Sequence, residues 1–215
     1  MSLLEIFKSQ YDVRVNPLNK KFDVFEFSKY FDETDNHYKH TLGVVGQVRG
    51  IEKSFDMSEQ EIDDLEQIAF LHYIGYSKRV KHRGLYALDA AIFAIEKGLS
   101  EDIALTLMFH TAGQAEARHL GDDKIIHIYN EAHKLLAERP NVHSYIEIIT
   151  FANLQTEEDG RPTSVDRRIF KMMYRYDKDT AIYKAIKENR KHFRKLAKKL
   201  RRSVTSKDTD TVQAF

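Results

Sequence analysis

The feature that most constrains this chain is the spacing of its apolar residues, which recur at intervals of three and four along most of its 215 residues. That spacing is the period of an α-helix with one buried face, and strand-like alternation is confined to residues 11–15. One such helix begins at Ser58, where Glu61 completes a capping-box pattern, and continues with Ile62 and Leu65. Only nine glycines and three prolines interrupt the chain. The sequence therefore predicts an all-α fold, a helical bundle with a basic C-terminal helix.

Composition restricts the class of protein further. Hydrophobic residues make up 42% and charged residues 31% of the chain, a balance typical of a globular domain rather than a disordered one. Cysteine is absent, which excludes a disulfide framework, a thiolate nucleophile and a cysteine-ligated zinc. No apolar run has the length of a membrane span, and the first residues lack the pattern of a signal peptide. We therefore expect no membrane span and a cytoplasmic location.

The chain divides by pattern into four stretches. Residues 35–178 hold most of the predicted helices and form the expected bundle domain. Residues 1–34 have the weakest pattern and are interpreted as an N-terminal extension. Residues 179–202 are predicted to be a basic helix packed on the bundle, and the polar residues 203–215 a disordered tail.

The net charge of +1 conceals a strong asymmetry. Residues 184–202 carry ten basic side chains and one acidic side chain, a net charge of +9, whereas the rest of the chain carries −8. An apolar stripe on the same helix consists of Ile182, Ile186, Phe193, Leu196 and Leu200. If this stripe docks on the bundle, the cations face outward, where they suit a second copy of the chain, nucleic acid or, least favoured, an anionic membrane. Aromatic residues in this helix are few, so a base-stacking surface is not indicated.

Four of the ten histidines fall where helices are predicted to begin or end: His40, His72, His82 and His110. Metal sites in helical bundles are built from side chains that converge from different helices, and imidazole is the commonest ligand for transition metals. The alternative is that the four rings are half-buried and hydrogen-bonded to backbone carbonyls. On spacing alone this alternative is favoured.

Five segments around these histidines resemble, in the same order, the HD superfamily of metal-dependent phosphohydrolases. They are HTLGV (40–44), AFLHYIGY (69–76), HRGLYALDAA (82–91), HTAG (110–113) and FANLQTEEDGRPTSVD (151–166). The resemblance covers about residues 36–175. It implies an HD-like domain over 35–178, with the four histidines around one metal pocket, and hydrolysis of phosphate esters, often in nucleotides or nucleic acids.

The chain departs from this family at the positions that bind metal. Tyr73 stands where the family has the aspartate of its His-Asp pair, and Asn153 stands where it has the final aspartate. Thr111 replaces a histidine that often follows the position of His110. A phenol with a pKa near 10 and a neutral amide are poor substitutes for two carboxylates. The resemblance therefore implies a divalent metal that is weakly bound or absent, unless the four histidines form a site of their own.

A basic loop around His82 supplies candidates for phosphate recognition. Lys78 and Arg83 are the cations selected, because a guanidinium binds phosphate through two parallel hydrogen bonds and an ammonium binds it as a point charge. The alternative is a solvated loop whose charges have no specific partner.

Three functions follow from these observations. The first is an HD-like protein with impaired or lost metal-dependent hydrolysis that binds a nucleotide or a partner in the old site. The second is an active phosphohydrolase on a phosphorylated small molecule or nucleotide, with the four histidines as ligands. The third is a nucleic-acid-binding protein that uses the basic helix. The apolar stripe also makes a homo-oligomer an expectation.

Overall fold

Helices form nearly all of the regular structure in the computed structural model, which describes the backbone of residues 1–212 and the side chains of residues 1–203. This confirms the predicted all-α class. The helices are α1 (Leu3–Lys8), α2 (Val24–Phe27), α3 (Asn36–Glu52), α4 (Glu59–Leu71), α5 (Tyr86–Glu96), α6 (Glu101–Phe109), α7 (Gly113–Leu120), α8 (Asp123–Leu136), α9 (Pro140–Leu154), α10 (Val165–Arg175) and α11 (Ala181–Val212). Single 3-10 turns, Ile74–Tyr76 and His110–Ala112, follow α4 and α6.

The helix ends follow the local chemistry of the sequence. At the start of α4 the Ser58 hydroxyl accepts from the backbone N–H of Glu61, while the Glu61 carboxylate accepts from the backbone N–H of Ser58. This is the predicted capping box, which satisfies two N–H groups that a helix start leaves free. Gly98 follows α5 with a φ of +72°, a left-handed conformation that glycine adopts without steric cost.

The helix α5 lies at the centre of the bundle. Its residues from Tyr86 to Ile95 are buried on every side, which is typical of a core helix rather than an amphipathic one. It packs against α6, which in turn packs against α4 and α9, and α3 lies against α4 and α9. Leu3, Phe7 and Phe27 join the same core, so residues 1–34 belong to the bundle and are not a separate unit.

The last helix, α11, closes the bundle on one side by packing against α7, α9 and α10. Ile186, Phe193, Leu196 and Leu200 are buried there, as the spacing of the apolar stripe predicts. Each contributes roughly 1.5–3 kcal/mol to docking. The helix extends to Val212, past its predicted end at 202, because no proline or glycine interrupts the segment. Residues 213–215 of the predicted tail lie outside the described chain.

Across the part of the chain that the structure describes, no helix combines the length and apolarity that crossing a bilayer requires.

The loop after α9 is held against α3 by a close approach of two glycines. Residues Thr156 and Pro162 form an isolated β-bridge that closes this loop. A Cβ atom on Gly43 would overlap the backbone oxygen of Gly160 and would lie 2.6 Å from the Thr156 methyl carbon. Gly160 itself has a φ of +81°. The absence of a side chain at position 43 therefore allows the loop to reach α3.

We expect the Gly43→Ala variant to be destabilised by about 1–3 kcal/mol, the usual cost of overpacking, because backbone atoms cannot move aside as a flexible side chain does. Gly46→Ala in the same helix is the matched control, because a Cβ there meets no atom within 4 Å. It should be neutral or stabilising by about 0.5–1 kcal/mol, since alanine favours a helix interior over glycine. Urea unfolding measures both, and equal stabilities of the two variants would contradict the close contact.

Candidate functional site

Three of the four predicted histidines lie together in the core. His40 is on α3, His72 caps the end of α4 and His110 caps the end of α6. The ring centroids of His40 and His72 are 5.4 Å apart, and those of His72 and His110 are 6.0 Å apart. All three residues are at most 1% exposed. We call these three residues the histidine cluster.

Backbone carbonyls fix the tautomers of two of these rings. The Nδ1 atom of His72 lies 2.6 Å from the carbonyl oxygen of Ala69, and that of His110 lies 2.8 Å from the carbonyl oxygen of Leu107. A carbonyl only accepts, so both Nδ1 atoms carry the proton. The Nε2 atoms of His72 and His110 have no partner among the described residues, and each therefore presents a buried lone pair.

The third ring, His40, is closed off by an amide. Its Nδ1 atom lies 2.8 Å from the Glu157 carbonyl oxygen, and its Nε2 atom lies 2.8 Å from Oδ1 of Asn153, whose Nδ2 atom is 2.9 Å from the Thr111 hydroxyl. A neutral imidazole has only one N–H. If both of its partners are oxygen acceptors, the lone pair of the other ring nitrogen faces an oxygen lone pair. Rotation of the amide by 180° removes the conflict, because Nδ2 then donates to His40 and Oδ1 accepts from Thr111. Asn153 thereby saturates the nitrogen that would face a metal.

Burial keeps the whole histidine cluster neutral. Loss of solvation lowers the pKa of His40 to about 4, with a further contribution from the positive charge of Arg168. Loss of solvation lowers the pKa of His110 to about 4 as well, and it places the pKa of His72 well below its ordinary value. At neutral pH these rings are therefore uncharged acceptors.

Strained backbone after His110 positions Thr111. Both Thr111 and Ala112 have positive φ angles, 44° and 68°, which cost non-glycine residues roughly 1–2 kcal/mol each. The Thr111 N–H donates to the Thr150 hydroxyl at 2.9 Å. Its own hydroxyl thereby faces Asn153, which links α6 to α9 through the amide.

His82, the fourth predicted ligand, does not join the cluster. It is an exposed loop residue, and its backbone N–H and that of Arg83 donate to the buried carboxylate of Asp89, each at 3.2 Å. The Asp89 carboxylate fixes the loop by accepting hydrogen bonds from the loop's main chain. The His82 ring is therefore left in solvent. The prediction that His82 lines the pocket is wrong for this reason.

The predicted phosphate-binding pair is also displaced from the cluster. Lys78 is exposed and lines none of the cavities beside the cluster. Arg83 forms an ion pair with Asp89 at 2.9 Å and its guanidinium lies 4.8 Å from the Tyr11 ring centroid. Its charge is therefore used to anchor its own loop, and the expectation of a phosphate clamp at Lys78 and Arg83 is corrected.

Two arginines of α10 lie beside the cluster instead. Arg168 is only 2% exposed, with one guanidinium nitrogen 3.4 Å from the Tyr73 hydroxyl and another 3.4 Å from Glu158. Its Nε atom has no acceptor among the described residues. Arg175 forms an ion pair with the same Glu158 carboxylate. The sequence holds a signal for Arg168, which lies three residues after Val165 and four before Met172 on the buried face of α10.

Tyr73 separates the cluster from these arginines. Its ring stacks on His40 with 4.5 Å between centroids and lies 4.4 Å from the His72 centroid. Burial raises the pKa of Tyr73 above its ordinary value, so the phenol stays protonated. It therefore fills space as a neutral ring where a carboxylate ligand would carry charge.

Three cavities near the cluster share Arg175 in their lining. The inner cavity, between Tyr73, Glu116 and Arg168, has about 20 Å3, enough for one water molecule. The aromatic pocket has about 160 Å3 and is lined mainly by rings: His37, His40, Tyr73, Tyr76 and Tyr176. The outer cleft has about 530 Å3 and includes Glu158 and Lys171.

Glu116 is the one carboxylate in the lining of the inner cavity, within the described residues. Tyrosine rings surround it there, and burial raises its pKa to about 7. Near neutral pH it is therefore only partly ionised, which reduces its value as an anionic ligand.

The side chains present do not fit a resident divalent ion. Among the described residues no three His, Asp or Glu side chains converge as metal ligands would. His40 is saturated by the Asn153 amide, and the positive charge of Arg168 is close enough to lower the pKa values of His40 and His72. A cation at this position would face that charge with no carboxylate in the histidine cluster to offset it.

Comparisons with protein-family models, with curated proteins and with solved structures gave no match to this chain.

Proposed function

We propose that this protein binds a nucleotide or another phosphorylated small molecule beside the histidine cluster without hydrolysing it, on a helical scaffold of the HD type. The observation that carries the proposal is the buried guanidinium of Arg168, which keeps an unpartnered Nε donor in a low-polarity setting. A buried cation without a full set of acceptors favours an anionic ligand. The resemblance of the five sequence segments to HD phosphohydrolases supports the same ligand class.

The aromatic pocket suits the base of such a ligand. Its volume of about 160 Å3 is close to the roughly 150 Å3 cavities that hold a single benzene ring, and its wall consists of flat rings. Tyr76 and His37 pack on each other with 5.0 Å between their centroids, and both rings form part of the aromatic wall that a base would contact. Arg175 lines this pocket and the outer cleft, so it lies where a phosphate joined to the base would leave the pocket.

The Glu158 carboxylate pairs with Arg168 and Arg175 at the position proposed for the ligand's phosphate. It is 34% exposed, so it can move into the outer cleft. A phosphate that reaches the guanidiniums must displace this carboxylate. Glu158 therefore lowers the affinity for anions and prevents the buried charge of Arg168 from remaining unpaired when the pocket is empty.

The Arg168→Met variant should lose at least tenfold in affinity for a nucleotide, about 1.4 kcal/mol or more, because the apolar stem is kept and the charge is removed. Glu158→Gln should gain roughly tenfold, since it removes the competing carboxylate without changing its size. Arg167→Met, an exposed neighbour on α10, is the matched control and should leave the affinity unchanged. Thermal shift over nucleoside mono-, di- and triphosphates selects the ligand, and calorimetry measures the variants.

Two further measurements distinguish binding without hydrolysis from the competing hypothesis of an active phosphohydrolase. Metal content after purification and release of inorganic phosphate in the presence of Mn2+ or Zn2+ test it directly. A stoichiometric metal together with phosphate release above that of the Arg168→Met variant would contradict the binding proposal and favour an active phosphohydrolase. The unpartnered Nε2 atoms of His72 and His110 are the feature that makes this comparison worthwhile.

A further inference from the structure

A pair of aromatic side chains on α10 is exposed without a packing role. Phe170 is 68% and Tyr174 is 86% exposed, whereas the opposite face of α10 buries Ile169 and Met172. The two rings are one helical turn apart and stack on each other, with 6.4 Å between centroids and 18° between planes. Large rings held this far into solvent present open faces to a partner.

Cations of α11 line the other side of the same surface. A cleft of about 380 Å3 separates the aromatic pair from Arg190 and Arg194, and Met173 contributes to its apolar lining. The exposed residues Lys187, Arg190, Arg194 and Lys198 follow one another at steps of three and four, so they form one row along α11. The eleven helical steps from Lys187 to Lys198 give this row a length of roughly 16 Å.

Most of this charge is available to a ligand. Arg194 pairs with Asp166 at 2.6 Å, but Lys187 and Arg190 form no ion pair with any residue that the structure describes. The outer cleft, which Phe170 and Tyr174 also line, has a different charge balance, because the acidic residues 157–159 outnumber Lys171 and Arg175 there. A polyanion is therefore attracted more strongly to the α11 side of the aromatic pair, where Arg190 and Arg194 face a single acid, Asp166.

We propose that the surface formed by Phe170, Tyr174 and the cation row of α11 binds single-stranded nucleic acid. Exposed aromatic rings stack on the faces of unpaired bases, and an adjacent row of cations follows the phosphates. A duplex hides its base faces inside the stack, so it uses only the cations. A second copy of the chain that docked through this same surface would bring two basic helices together, and their repulsion disfavours that arrangement. The helix α11 itself has only Tyr183 and the buried Phe193 as aromatic residues, so the exposed aromatic pair comes from its neighbour α10, which the sequence of one helix does not reveal.

The experiment measures the anisotropy of a fluorescein-labelled oligo(dT) of about 15 nucleotides, within the usual range of single-stranded site sizes. The full chain should bind it at least tenfold more tightly than a duplex of equal length. The Phe170→Ala/Tyr174→Ala double variant should lose at least tenfold in affinity and keep its thermal stability, because both rings are exposed. Tyr174→Phe should bind like the parent, since stacking does not need the hydroxyl.

Two further variants keep this proposal open to contradiction. Phe25 is a matched control, being 60% exposed on α2 with Lys20 and Lys29 within 5 Å of its ring centroid, and Phe25→Ala should not change the affinity. Lys187→Gln/Arg190→Gln should reduce the slope of log affinity against log salt by about 0.7 for each cation removed. Equal binding of duplex and single strand, or full affinity in the Phe170→Ala/Tyr174→Ala variant, would overturn the proposal.

Discussion

Replacing Tyr73 and Asn153 together by aspartate is expected to make the protein bind a divalent metal more tightly than the parent does. Asp at position 153 cannot donate a hydrogen bond, so it exposes the Nε2 lone pair of His40 that the amide now saturates. Asp at position 73 places a second carboxylate between His40 and His72, where the tyrosine ring lies at present. Two anionic and at least two imidazole ligands then face one position, the combination that divalent ions require.

The expected gain in Mn2+ affinity is roughly a hundredfold or more, about 2.8 kcal/mol, because two unit charges act on a dication in a buried site. The positive charge of Arg168 remains and limits the gain. Calorimetry with Mn2+ measures it. Tyr73→Asn with Asn153 retained is the control, since it opens the same space without adding charge. If the double aspartate variant bound Mn2+ no better than this control, the pocket would have changed beyond the loss of two ligands.

Acid is expected to destabilise the protein well before its surface carboxylates are protonated. An imidazole with a lower pKa in the folded than in the unfolded state binds fewer protons when folded. Its stability contribution is therefore complete above the ordinary value of 6.5 and is lost as pH falls toward the folded value of about 4. Between about pH 7.5 and pH 5, His40 and His110 should each remove about 2 kcal/mol from the free energy of unfolding, and His72 acts in the same direction.

Glu116 opposes this trend and provides the control. Burial raises its pKa to about 7 from 4.5, so its contribution to stability is complete below 4.5 and is lost as pH rises through 7. Over the same pH interval it offsets about 2 kcal/mol of the histidine effect. Glu116→Gln should therefore steepen the acid destabilisation to about 4 kcal/mol or more in urea unfolding. If the stability of the Glu116→Gln variant stayed constant between these pH values, the three histidine rings would be solvated rather than buried.

The spacing of apolar residues predicted the helices, whereas the meeting of His40, His72 and His110 was implied only by the resemblance to HD phosphohydrolases, which also included His82. The helix starts follow from capping residues such as Ser58, and the three histidines occupy the ends or faces of helices that pack together. Tyr73 and Asn153 lie against the cluster, where the resemblance placed them.

The remainder of the site depends on tertiary contacts that no local pattern specifies. The orientation of His82 is set by Asp89, seven residues away across a loop, whose buried carboxylate needs donors. The same carboxylate holds Arg83 away from the pocket. Arg168 is the opposite case, a charged residue that helical spacing places on a buried face and that only the packing of α10 on Tyr73 brings to the cluster.

The two hydrogen bonds of His40 also bear on the stage of folding at which the pocket forms. They join residues 113 and 117 positions apart in the chain, to Asn153 and to the Glu157 carbonyl. Closure of so long a loop costs conformational entropy, and this cost is smaller once the intervening helices are packed. A growing polypeptide cannot complete the aromatic pocket until Tyr176, the last residue of its lining, has left the ribosome. Binding of the proposed ligand would in this sense report that the chain has folded as far as Tyr176.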